Sequence, residues 1–198
     1  MFEIHQLTST DYIDSTWSGG QTRQVYIFPP TSHYGDRNFD YRISTATVEL
    51  ASSVFTSLPA YERHLMTLDK EIKLIHTDSQ KVVSLAPYQP YSFSGADPIE
   101  SQGTCTDFNL IHSPYYEGMI EALPANQKVF SRKGKNHLFY FLDNQTVEID
   151  HELYDLHKGD SLLVTSTTQE TELVLHLSGP AINSSVIAIW AGICEKEK

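Results

Sequence analysis

The chain predicts an all-β protein, a sandwich or barrel of short strands, on three observations. Short runs rich in Val, Ile, Leu, Phe and Thr recur along the 198 residues with turn signals between them. Stretches with sustained helical periodicity are scarce. Polar and apolar residues alternate with the strand period in Tyr41-Arg-Ile-Ser-Thr-Ala-Thr-Val-Glu49 and in Thr106-Asp-Phe-Asn-Leu-Ile111.

Taken in order, the first run is Gln24–Phe28, and the Pro- and Gly-containing stretch Pro29–Asn38 reads as an exposed loop leading into the run Arg42–Leu50. The turn-like Pro59-Ala-Tyr-Glu62 precedes the run His64–Leu68, and Glu71–Ile75 follows. Thr77-Asp-Ser-Gln80 then reads as a hairpin turn before Lys81–Leu85. After Thr106–His112 comes a stretch with Pro114, Gly118 and Pro124, Ser113–Ala125, that reads as a linker or mouth cover with a short helical turn at Tyr115–Ile120. The pattern resumes with Gln127–Phe130, Asn136–Leu142, Thr146–Ile149, Ser161–Thr165, Glu172–Leu177 and Val186–Ala191. Leu142-Asp-Asn-Gln145 reads as a second hairpin turn, and Leu156-His-Lys-Gly-Asp160 as a Gly-Asp turn entering the apolar strand at Leu162. The repeated hairpin signal argues for two related halves, residues 1–125 and 126–198, between which strands are free to exchange.

Composition narrows the function. Hydrophobic residues make up 40% and charged residues 20% of the chain, enough for a substantial core and unlike a disordered segment. A net charge of −11 repels phosphate backbones and anionic lipid, so neither nucleic acid nor membrane is an expected partner. The basic run Ser131-Arg-Lys-Gly-Lys135 reads as a solvated turn. Met1-Phe-Glu-Ile-His-Gln-Leu-Thr8 lacks the basic start and apolar centre of a signal peptide, and no run is long enough to span a bilayer, so the expected location is cytoplasmic. Cys105 and Cys194 lack the spacing of a redox or zinc motif and read as buried thiols.

Several stretches carry a resemblance. Trp17-Ser-Gly-Gly-Gln-Thr-Arg23, Tyr41-Arg-Ile-Ser-Thr-Ala46, Phe55-Thr-Ser-Leu-Pro59 followed by Arg63, Phe93-Ser-Gly95 and Asp107-Phe-Asn-Leu110 stand in the order and approximate spacing of the HutD/Ves family, which the chain resembles from Trp17 to Leu110. The Trp17 segment is one residue shorter than the commonest family form and lacks an Asn before its glycines. The resemblance implies a metal-free bicupin, two β-barrel, jelly-roll-like halves in one chain, associated with histidine utilisation or stress response and without established catalysis. It implies a small-molecule binding or regulatory role, with no cofactor; monomer and homodimer both remain open.

The residues themselves say what such a ligand would meet. Arg42 and Ser44 share a strand face with Ala46 and Val48, and Asp107 and Asn109 share one with Ile111. If those faces point inward, a buried arginine and a buried aspartate need each other or a ligand, because an unpaired buried charge costs several kcal/mol. Arg42 suits a carboxylate, held by two parallel hydrogen bonds, or alternatively pairs internally with Asp107. Arg63 either approaches the same mouth, where a second arginine suits a dicarboxylate, or pairs with Glu62 at the surface. Asp107 and Asn109 can orient an amide, an amine or an imidazole. Trp17 and Thr22 read as pocket lining, with the Gly19-Gly20 pair as close approach or as a simple turn. His64 faces away from Arg63 and is a weaker candidate. The alternative to a binding protein is a cupin-type enzyme, an isomerase or hydrolase using Asp107 and Arg42 or a metal-dependent oxygenase; among nine histidines there is no His-x-His pair, and His151–His157 does not match a cupin ligand set. A third reading is a protein-interaction module with a purely structural polar interior.

Overall fold

The structure, a computed structural model, describes residues 2–179 and 186–196. Its first strands are β1 (Phe2–Leu7), β2 (Ile13–Trp17), β3 (Gly20–Phe28), β4 (Tyr41–Val48), β5 (Ser52–Val54) and β6 (Glu62–Thr67). They are followed by β7 (Ile72–His76), β8 (Lys81–Leu85), β9 (Tyr91–Ser94), β10 (Ile99–Gln102), β11 (Cys105–His112) and β12 (Tyr116–Pro124). The remainder are β13 (Val129–Lys133), β14 (Asn136–Phe141), β15 (Gln145–Ile149), β16 (Glu152–Leu156), β17 (Ser161–Ser166), β18 (Glu172–Ser178) and β19 (Val186–Glu195). A 3-10 turn, Tyr34–Asp36, interrupts the connection between β3 and β4. The all-β class expected from the sequence is thus what the chain adopts.

The chain divides into two compact units, one of residues 12–118 with residue 196, the other of residues 2–11 with 119–179 and 186–195. The first unit has a six-stranded sheet in the order β2-β3-β4-β11-β6-β9 and a four-stranded sheet in the order β5-β10-β7-β8. Its core gathers Val48, Leu65 and Phe93 of the larger sheet with Ile72, Leu74, Leu85 and Ile99 of the smaller one, which makes the unit a two-sheet sandwich. The second unit pairs a five-stranded sheet, β1-β17-β14-β19-β12, with a four-stranded sheet, β13-β18-β15-β16. Between them lie Phe130, Phe139, Phe141, Val147, Leu162, Leu175 and Trp190. None of these sheets, as described, closes on itself into a barrel.

Several local expectations need correction. Ser113–Ala125 holds no helical turn, since Tyr116–Pro124 forms the edge strand β12 beside β19; the chain does pass from one unit to the other within this stretch, after Gly118. Gly118 serves close packing there: a Cβ would come within 2.7 Å of the His112 ring. Pro124 is tolerated because it ends an edge strand. The Thr77–Gln80 hairpin is present, with His76 opposite Lys81 and Gln80 at φ 57°. Leu142–Gln145 makes no hairpin, because β14 and β15 belong to different sheets. The hairpin lies one strand later, between β15 and β16, where Asp150 and His151 both take positive φ, the geometry of a two-residue primed turn. The repeated hairpin signal therefore gives no support to related halves. Gly159, at φ 92°, does make the turn into β17, and the Asp160 carboxylate accepts the His157 N–H at 2.9 Å. The basic run is partly strand: Arg132 pairs with Glu121 and Lys133 with Glu170, each at 2.9 Å. Cys105 is buried as expected but Cys194 only partly so, and both are free thiols.

Candidate ligand-binding site

Strand register decides how the polar residues meet. On β4 and β11, Arg42 lies opposite Ile111, Ser44 opposite Asn109 and Ala46 opposite Asp107. On the other side of β11, Arg63 lies opposite Ile111 and Thr67 opposite Asp107. The face-sharing read from the sequence is present, and the three strands turn that face onto a cavity of about 270 Å³. All seven residues singled out, Trp17, Thr22, Arg42, Ser44, Arg63, Asp107 and Asn109, line it.

The same register separates Arg42 from Asp107. Their rungs are four residues apart, roughly 13 Å along the sheet, so the two do not pair as one internal reading required. Arg42, 7% exposed, instead donates from Nε to Gln24 Oε1 at 2.8 Å and from Nη1 to Ser44 Oγ at 3.1 Å. Its guanidinium also lies over the Tyr34 ring, 4.4 Å from the centroid. Burial lowers its pKa, an effect that leaves an arginine charged at neutral pH.

Arg63 is neither at the surface nor paired with Glu62. It is 5% exposed, its guanidinium sits over Phe55 at 4.6 Å and Phe93 at 5.4 Å, and its one hydrogen bond among the described residues, Nη1 to the Thr56 carbonyl, is long at 3.5 Å. Its Nε is enclosed without a partner. Burial pulls its pKa down to about 10. Asp107, 5% exposed, has no hydrogen-bonding or ion-pair partner among the described residues. Loss of water raises its pKa to about 7, the charge of Arg63 opposing that rise and Asp69 adding to it. Asn109 leaves its side-chain oxygen enclosed and unpaired among the described residues.

Trp17 stands at the rim, 38% exposed, its ring folded over Gly19, where a Cβ would fall 2.0 Å from it. Gly20 takes φ 149° and a Cβ there would meet the Thr47 carbonyl at 1.8 Å. The glycine pair thus serves both as the turn from β2 to β3 and as a close approach. Pro29–Asn38, read as merely exposed, contributes Tyr34 to the cavity. Sequence reasoning also missed the aromatic platform Phe55 and the anchor Gln24. The signal for Gln24 was the alternation from Thr22; Phe55 opened a family motif but its reach over Arg63 is not local.

His64 points to the other face of β6. Its Nε2 meets His112 Nε2 at 3.0 Å, and its Nδ1 meets Ser92 Oγ at 2.7 Å. Since the Ser113 carbonyl can only accept, His112 Nδ1 carries a proton, its Nε2 accepts from His64, and Ser92 donates to His64. Burial, reinforced by His112, lowers the His64 pKa to about 4. This pair fastens β6, β9 and β11 together and takes no part in the cavity. Cys105, pushed up to about 12 by burial, stays a thiol. Among the described residues no group of three or more His, Cys, Asp or Glu converges as a metal site.

The HutD family model matches residues 9–181. A conserved protein of unknown function from Pseudomonas aeruginosa PAO1 superimposes with a TM-score of 0.82 at 19% identity, covering 98% of this chain and 100% of that one. HutD from Pseudomonas fluorescens SBW25, solved in a formate condition, gives 0.74 at 21%, with the same coverage. Oxalate decarboxylase from Bacillus subtilis gives 0.61 at 6%, covering 98% of this chain and 77% of that one, so the fold is cupin-like. No curated protein sequence matches the chain. The chain belongs to the HutD family.

Proposed function

We propose that this HutD-family chain is a metal-free bicupin that binds a small polar or acidic metabolite and regulates histidine utilisation or a stress response. The observation that carries the reading is a cavity of about 270 Å³ into which two buried arginines and a buried aspartate face without pairing closely to each other. Buried guanidinium groups left with unfilled hydrogen bonds gain most from a bound acceptor, and a carboxylate fits their fork. In this reading the two sandwiches correspond to the two cupin halves, and the ligand enters the cavity of the first. The protein acts in the cytoplasm as a monomer or homodimer; among the described residues no helix is long and apolar enough to cross a membrane.

Calorimetric titration with urocanate, formiminoglutamate and formylglutamate tests it. At least one gives saturable heat that Arg42→Ala abolishes; no heat from any, with both proteins alike, ends the reading. The enzyme alternative draws on the buried Asp107 carboxyl, which lines the cavity without a partner among the described residues and whose pKa burial raises to about 7, a range suited to a general acid or base. Turnover of a bound compound that Asp107→Asn abolishes would favour it.

A further inference from the structure

The two ends of the cavity differ in chemistry. At the Ile111 rung, Arg42 and Arg63 flank one strand from either side, and the Nη2 atom of each has no hydrogen-bond partner among the described residues and is not sealed off. At the Ala46 rung stands Asp107, with both carboxylate oxygens unpartnered, and Asn109 follows two residues along the same face. The first end offers the donors of two guanidinium groups, with the Tyr34 ring against Arg42. The second offers a carboxylate acceptor and one open amide atom, because the other amide atom of Asn109 is enclosed.

We propose that the cavity takes a ligand of two unlike ends, a carboxylate on Arg42 and Arg63 and an amide-like N–H donor on Asp107 and Asn109, and that Asp107 rejects a second carboxylate. This rests on the binding reading above and specifies its ligand. An amide complements the second end because its N–H meets Asp107 and its oxygen meets the Asn109 amide. A second carboxylate there faces a like charge in a site short of water, and two such groups side by side cannot both stay ionised. It binds only by bringing one proton, shared with Asp107.

The groups around Asp107 leave that proton to it. Arg63 on β6 attracts the ionised carboxylate, whereas Asp69, in the turn after β6, repels it. Asp69 is itself held by the Thr106 backbone N–H at 2.8 Å and the Thr106 hydroxyl at 3.1 Å. On β11 the neighbouring Cys105 stays a neutral thiol, with Lys70 near it. On the flanking strands Asp107 faces Ala46 and Thr67, neither of which titrates. Arg42, four residues away along the sheet, belongs to the other end.

The test uses isosteric pairs, glutaramate against glutarate and succinamate against succinate, titrated calorimetrically in buffers of different protonation enthalpy. At pH 8.5 the monoamide of at least one pair binds tenfold or more tightly than its diacid and exchanges no proton, while the diacid takes up close to one. The gap narrows by up to tenfold per pH unit towards pH 7, and by pH 6 the diacid binds without proton uptake. In Asp107→Asn the gap disappears and stays absent from pH 6 to 8.5. Equal binding of amide and diacid at pH 8.5 without proton uptake overturns the inference and leaves the binding reading standing. No heat from any of the four compounds also overturns the inference, while the binding reading is decided separately by the titrations with urocanate, formiminoglutamate and formylglutamate.

Discussion

Between the sheets of the unit formed largely by residues 119–179 and 186–195, the space is filled by Phe130, Phe139, Phe141, Val147, Leu162, Leu175 and Trp190, each at most 5% exposed. Between the sheets of the unit formed by residues 12–118, part of the same kind of space holds Arg42, Ser44, Arg63, Asp107 and Asn109 around a cavity. Both are sandwiches of short antiparallel strands, so the difference lies in what the inward positions are asked to do. Burial of apolar surface stabilises by about 25 cal/mol per Å². Unpaired buried charge opposes folding. One interior is built for stability; the other gives some of it up for recognition.

Four substitutions would break or sharpen that contrast. The largest effect is expected in the filled interior, where Phe139→Ala should cost about 3–5 kcal/mol in chemical denaturation and leave ligand affinity unchanged. A fall in affinity with stability intact would reverse the division of labour.

Next comes Asp107→Asn, whose effect depends on pH. The folded pKa, about 7, is raised above the unfolded value of 3.8, so the folded state holds the proton more tightly between these values. The contribution is complete below pH 4, is lost as pH rises to 7 and then levels off, in total roughly 4 kcal/mol. The variant should therefore gain on the wild type steadily from pH 4 to 7 in paired melts; curves that stay parallel would mean Asp107 is better solvated than its burial implies. His137 in the filled unit slopes the other way. Trp190 donates to its Nδ1 at 3.2 Å, its Nε2 is enclosed without a partner, and burial lowers its pKa to about 4, so its contribution disappears as pH falls from 6.5 to 4.

Smaller again, Arg63→Met should raise stability by about 1–3 kcal/mol, because it removes an enclosed N–H without a partner, while carboxylate binding is lost. A destabilised variant would show that stacking on Phe55 and Phe93 outweighs desolvation. Ser44→Ala should cost about 1 kcal/mol or less, the Arg42 Nη1 bond being the only one lost among the described residues, with affinity down a fewfold by calorimetry.

The sequence made the inward face of β4 and β11 legible because period-two alternation is local: Arg42 and Ser44, or Asp107 and Asn109, need only their own strand to share a side. Register is not local. That Arg42 stands opposite Ile111 and four residues from Asp107 depends on how two strands distant in the chain align, so an internal Arg42–Asp107 pair does not form. The same reason hid Tyr34 over Arg42, Phe55 over Arg63 and the His64–His112 pair. Turn residues misled where they had a different physical use, with Gly118 packing under His112 and Asp143-Asn144 crossing between sheets. Strand β12 was missed because its Gly and Pro read as punctuation.

The most direct measurement of the central claim is a crystal structure of the protein grown with whichever carboxylate gives heat. The ligand's carboxylate is expected within about 3 Å of guanidinium nitrogens of both Arg42 and Arg63, inside the cavity. A ligand bound elsewhere, or a cavity closed by an Arg–Asp107 ion pair, would contradict it.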